Sequence, residues 1–232
     1  MDFIERNLFT KLRAENFNTG EKIEPMTKYK QGKLQQYIDN IDSMPPGKVK
    51  LSNDKLNQLF VEIQSGERRN KTPAIQTIYL LRIIVINVNQ MLNGGISLRG
   101  IIQLGQYLRA TDQVFDFVKL DRWLRELHLQ RMAQLQGSVL VNFFGFDKSE
   151  IPFVKKVEKS SVKLTLKSLR FNFLGEQIKE AEIKQRQGII AQSTPVVKHS
   201  LIRSFKFFRF APIEVSSNFL HNFTSSLSDL EE

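Results

Sequence analysis

Apolar residues recur at helical spacing through the first 137 positions of the chain. Ile4, Leu8 and Leu12 mark a helix over 2–15, and Leu34, Tyr37, Ile38 and Ile41 give 32–42 the i, i+3, i+4, i+7 stripe of an amphipathic helix. The prolines and glycine of SMPPGK (43–48) end it. Ser52 is placed to cap a third helix that turns Leu56, Leu59, Phe60 and Ile63 inward, and Gly66 stands where a C-terminal glycine cap belongs. The Thr72-Pro73 pair predicts the start of a fourth helix that runs to about Leu92 and stops at Gly94-Gly95. Ser97 caps a fifth. Thr111 caps a sixth, with Val114, Phe117, Val118, Leu124, Leu127 and Leu135 on its apolar face and Gly137 at its end. Loops of only a few residues make such helices antiparallel neighbours, so 1–137 reads as a helical bundle.

After Gly137 the pattern changes. Twelve of the 18 phenylalanines lie beyond it, and SVLVNFFGF and VKLTLKSLRFNF alternate aromatic or β-branched residues with others, as strands do. Val162, Leu164 and Leu166 share one phase, while Leu169, Phe171 and Phe173 share the other. The slip near Ser168 suggests a bulge. Residues 176–193 read as a charged, exposed helix closed by Pro195, and IRSFKFFRF reads as a further strand. The expected fold is therefore α+β, mainly α. A helical bundle (1–137) precedes a strand-rich, partly extended C-terminal region: a basic Phe-rich stretch or docking arm (138–210), then a polar acidic tail (211–232).

Residues 74–92 form the most apolar run, but Gln76, Arg82, Asn87, Asn89 and Gln90 interrupt it. An Arg at mid-membrane costs about 2.5–3.5 kcal/mol, so a buried core helix is expected and membrane insertion is not. The start, MDFIERNLFTKLRAEN, has acids among its first five residues and predicts no signal peptide.

Charge sharpens the division. The chain carries +10 overall. Residues 1–150 carry +5, residues 151–210 carry +9, and residues 211–232 carry −4. With no cysteine, disulfides, thiolate metal sites and cysteine nucleophiles are excluded. His128, His199 and His221 are too scattered to suggest a metal site, and neither a phosphate-binding glycine loop nor HExxH nor GxSxG occurs. Asp112, Asp116, Asp121 and Glu126 have the spacing of acid–base partners, yet Lys119, Arg122 and Arg125 sit where i, i+3 and i, i+4 ion pairs would absorb them. Trp123 is expected in the core. No catalytic residue, cofactor or metal is expected, and the chain reads as a non-enzyme.

The basic Phe-rich stretch is the informative one. Lys155, Lys156, Lys159, Lys163, Lys167 and Arg170 recur along one segment, and Arg203, Lys206 and Arg209 interleave with Phe205, Phe207, Phe208 and Phe210 in another. Cations beside stackable rings suit single-stranded nucleic acid, where phosphates meet the charges and bases meet the rings. The same pattern suits an acidic protein partner or an anionic membrane surface. It also suits a solvated strand face over a Phe core.

A helical body followed by a long Phe-rich arm resembles the layout of tailed-phage head-to-tail connector proteins, in overall organisation and without a diagnostic motif. The resemblance implies a structural, ring-forming subunit of a phage neck or tail, assembled in the host cytoplasm. Its partners would be further copies of itself and a portal or tail subunit, with the basic face against protein or DNA. The alternative is a nucleic-acid-binding accessory protein that uses 151–210, cytoplasmic if cellular.

Overall fold

The computed structural model describes residues 1–69, 74–110, 114–185 and 205–231. The elements in chain order are α1 (Phe3–Phe17), α2 (Lys28–Ser43), α3 (Asp54–Arg69), α4 (Ala74–Gly94) and α5 (Leu98–Leu108), followed by α6 (Phe117–Glu126), α7 (Gln130–Phe144), α8 (Ser161–Gln185) and α9 (Pro212–Glu231). A short 3-10 turn, Lys148–Glu150, lies between α7 and α8.

α4 and α7 form the centre. Leu80, Leu81, Ile84, Val85 and Val88 are buried on almost every side of α4, as expected of a helix that is apolar all round. Around it pack α3, α5, α6 and α7, and α7 in turn carries α1 and α8. α4 is also long and apolar enough to cross a membrane, but two thirds (67%) of its most apolar window is buried in the fold. The amides Asn87 and Gln136 inside this core are paired. Asn87 donates to Gly100 O and to Gln136 Oε1, both at 3.1 Å, and Gln136 donates to Ile84 O, so α4, α5 and α7 share one buried amide network.

Several helix ends follow the sequence. Ser97 caps α5 through its hydroxyl and Gly95, at φ +86°, follows the end of α4, both as expected, whereas α2 begins earlier than expected, capped by Thr27. Asp2 and Glu5 form a reciprocal capping box on α1. Other ends differ. The side-chain cap of α3 is Asn53 rather than Ser52, and Gly66 lies inside that helix. Residues Thr72, Pro73, Thr111 and Asp112 lie outside the described residues.

The helix expected to run from 111 to Gly137 is two helices. His128 adopts φ 55°, with its N–H on Arg125 O and the Leu129 N–H on Leu124 O. This is the two-bond closure of a helix ended by a left-handed residue, and Leu124 and Leu129 are both buried beneath it. Val114, ahead of α6, and Val118 on its outer face are 69% and 83% exposed, while Leu124, Leu127 and Leu135 are inside with Trp123. Gly137 does not end α7. A Cβ at this position would overlap Val154 Cγ2, so the glycine lets the Ile151–Val154 segment lie against the helix.

The strand-rich C-terminal region is the main correction. The structure is 71% helix, and no strand occurs among the described residues. SVLVNFF is the second half of α7, where five of the seven residues, Ser138, Val139, Leu140, Phe143 and Phe144, are buried and leave little helical period to read. In α8 the buried positions are Ser161, Thr165, Leu166 and Leu169. That is helical spacing, disguised because two of the inward residues are small and polar while Val162 faces out. The slip near Ser168 is the mismatch between a period of 3.6 and one of 2. Phe205–Phe210 is a series of tight turns in which Phe208 and Phe210 donate to the carbonyls three residues back, and Phe207 and Phe210 are the buried pair.

Candidate functional site

The residues expected to make one basic strand face are distributed over three elements. Lys155, Lys156 and Lys159 lie on the loop before α8. Lys163, Lys167 and Arg170 form an i, i+4, i+7 stripe on the outer face of α8. Lys206 and Arg209 lie in the turns before α9, and Arg203 falls outside the described residues. Phe207 and Phe210 belong to the core, at 1% and 2% exposed, whereas Phe205 and Phe208 are 54% and 45% exposed.

Their partners separate structural cations from available ones. Arg170 is bound to Glu5, and Lys155 Nζ stands 3.4 Å from Asp121, which also holds Arg125. Burial raises the Asp121 pKa, but a hydrogen bond from Gln130 and the charges of Lys155 and Arg125 outweigh it and hold the carboxyl below its usual range. Asp116 caps α6 by accepting from the Lys119 N–H, and Glu126 lies 4.0 Å from Arg122. Of the acids with acid–base spacing, Asp116, Asp121 and Glu126 are thus capping and pairing groups, and Asp112 lies outside the described residues. Among the described residues no group of three or more His, Asp or Glu could hold a metal.

Four cations converge at the start of α8. Arg131 on α7, Lys156 and Lys159 on the loop, and Arg209 from the C-terminal turns line a recess of about 450 Å³ with Gln134, Glu158 and Ser160. Lys156 and Lys159 are exposed. Arg131 donates to the Arg209 carbonyl at 2.9 Å, and Arg209 donates to Ser160 Oγ. Both guanidiniums lie over the buried Phe210 ring, at 5.3 and 4.5 Å from its centroid. The ring therefore gathers two like charges at one place. Glu158 is the only carboxylate among the described residues that line the recess, and it accepts from Gln134 at 2.8 Å with Arg131 at 3.6 Å. The N-terminus of the 25-residue α8 adds its partial positive charge beside these side chains.

Neither Arg131 nor Ser160 was singled out in the sequence. Arg131 lies 78 residues from Arg209, and no local pattern joins them; only the packing of the turns on α7 does.

A second, larger recess of about 630 Å³ lies between the 44–52 loop, α4 and α9. Its amides mostly hold the loop in place: Asn89 accepts from the Lys48 N–H and donates to Lys50 O, and Gln90 donates to Pro45 O.

Comparison with protein-family models, with curated proteins and with solved structures returns no match for this chain.

Proposed function

We propose that this chain is a non-enzymatic binding protein that docks on the phosphate backbone of nucleic acid through Arg131, Lys156, Lys159 and Arg209. The observation that carries this reading is the convergence of four cations on one recess containing a single carboxylate. Such a surface repels itself until an anion meets it, and evenly spaced phosphates satisfy several cations at once. Exposed Phe205 and Phe208 flank the same turn, within reach of a strand that follows it. The connector-like layout rested on an extended arm over 138–210, and the longest described element there is α8, packed against α2 and α7.

Fluorescence anisotropy with a labelled oligonucleotide tests the proposal. Affinity should fall steeply between about 50 and 200 mM salt, and Lys156→Gln with Lys159→Gln should reduce the salt slope by roughly two units. An oligonucleotide that does not bind at the lowest salt, or an unchanged slope in the double variant, would sink it.

A further inference from the structure

The turns before α9 divide their four phenylalanines evenly. Phe207 and Phe210 fill the core, while Phe205 and Phe208 are turned away from it, about half of each in solvent. The Phe208 N–H donates to Phe205 O at 3.1 Å and sets the two outer rings side by side, with centroids 6.3 Å apart and planes 25° from parallel. Phe219 of α9 packs on Phe205 in a T-shaped contact at 5.8 Å. The fold thus orders an aromatic pair and leaves it in water, where a partner that stacks would cover it.

Charge stands directly beside these rings. Arg209 follows Phe208 in the chain, and its guanidinium reaches the recess at the start of α8, where it donates to Ser160 Oγ among Arg131, Lys156 and Lys159. The exposed Lys163 and Lys167, about 6 Å apart along α8, continue the positive charge past the recess. We propose that the nucleic acid taken by this surface is single-stranded, with phosphates in the recess and the adjoining bases stacked on Phe208 and Phe205. The inference rests on the phosphate-docking reading above and adds to it the state of the bases. In a duplex the base faces are covered by neighbouring pairs and only edges reach the grooves, so the rings find nothing to stack on. In a single strand the faces are open, and every base has one to offer. Phosphate contact and stacking are both tolerant of sequence, so binding should follow strandedness rather than base identity.

Three labelled ligands of equal length separate this inference from the reading beneath it: a thymidine oligomer, the same oligomer annealed to its complement, and an abasic oligomer that keeps the phosphates and lacks the bases. In fluorescence anisotropy at matched salt, the thymidine oligomer should bind about tenfold tighter than the abasic one and tighter than the duplex. The salt slopes of the two single strands should agree, because both present the same phosphates. Phe205→Leu with Phe208→Leu should abolish the preference, so that the thymidine and abasic oligomers bind alike. Circular dichroism of that variant should match the parent, because both rings lie outside the core. Equal binding of thymidine and abasic oligomers by the parent chain, a duplex that binds as tightly as the single strand, or a double variant that keeps the preference overturns the inference and leaves phosphate docking standing. Failure of all three ligands to bind at the lowest salt overturns both.

Discussion

Arg170 reaches 165 positions back along the chain to hydrogen-bond Glu5 through two nitrogens, at 2.6 and 3.0 Å. Glu5 is fully buried, while about half of the Arg170 side chain remains in solvent. The pair joins the first helix to α8, beside Tyr37, whose ring stacks on Phe173 with centroids 4.2 Å apart. Burial raises the Glu5 pKa, but the Arg170 hydrogen bonds and charge, with the Asp2 N–H, outweigh it and hold the carboxyl low.

Arg170→Ala should therefore destabilise the fold by about 1–3 kcal/mol at neutral pH, less than the loss of a fully buried pair because solvent already screens the arginine. A lowered carboxylate pKa gives stability that is present above the unfolded value of about 4.3 and is lost as pH falls through the folded value. The deficit of the variant should consequently shrink as pH drops from 7 toward 4. Urea denaturation at the two pH values measures it, and a deficit that grows on acidification would contradict the assignment.

Glu214 has the opposite sign. Burial beneath α9 raises its pKa, and the hydrogen bonds from Ser52 and Asn53 only partly offset that. A raised carboxylate pKa gives stability that is full below the unfolded value and is lost as pH rises through the folded one. Glu214→Gln removes this linkage while keeping an acceptor for one N–H at the start of α3. The stability of the variant relative to the parent should improve steadily as pH rises above about 4.5. Denaturation midpoints across that window report it; a difference independent of pH would show that Glu214 titrates as it does in the unfolded chain.

Gly137→Ala should destabilise by about 1–3 kcal/mol, because its Cβ overlaps Val154 Cγ2 and the neighbouring Ile151 and Phe153 are also close. Val154→Ala costs packing by itself but removes the obstructing methyls. In the double variant the two losses should fall short of additive, with a coupling above about 0.5 kcal/mol. Additive losses would mean that the segment after α7 shifts freely away from the helix.

Much of the first half of the fold was legible in the sequence. The stripe of Leu34, Tyr37 and Ile41, the Ser97 cap and the Gly94-Gly95 stop are local signals, and each acts within a turn or two of itself. The same holds for Trp123, whose burial follows from its helix having one apolar face. Other features depended on residues far away. Gly137 looks like a helix stop until Val154 is seen beside it. Ser161 and Thr165 look like surface residues until α7 covers them, with Asn142 donating to Ser161 Oγ at 2.7 Å. The basic stretch was visible as charge, but its division was not: Glu5 takes Arg170, Asp121 takes Lys155, and Arg131 joins from another helix.

The sequence by itself determined where the helices of the first half lie and how much charge the chain carries, because periodicity, caps and composition are properties of neighbours along the chain. Tertiary structure alone decided that residues 138–144 and 161–185 are helical and which cations gather at one recess. Burial is a relation between segments. A run buried on most sides shows little period, and a polar residue inside is favoured where a distant partner, such as the N-terminus of α3 for Glu214, completes its hydrogen bonds.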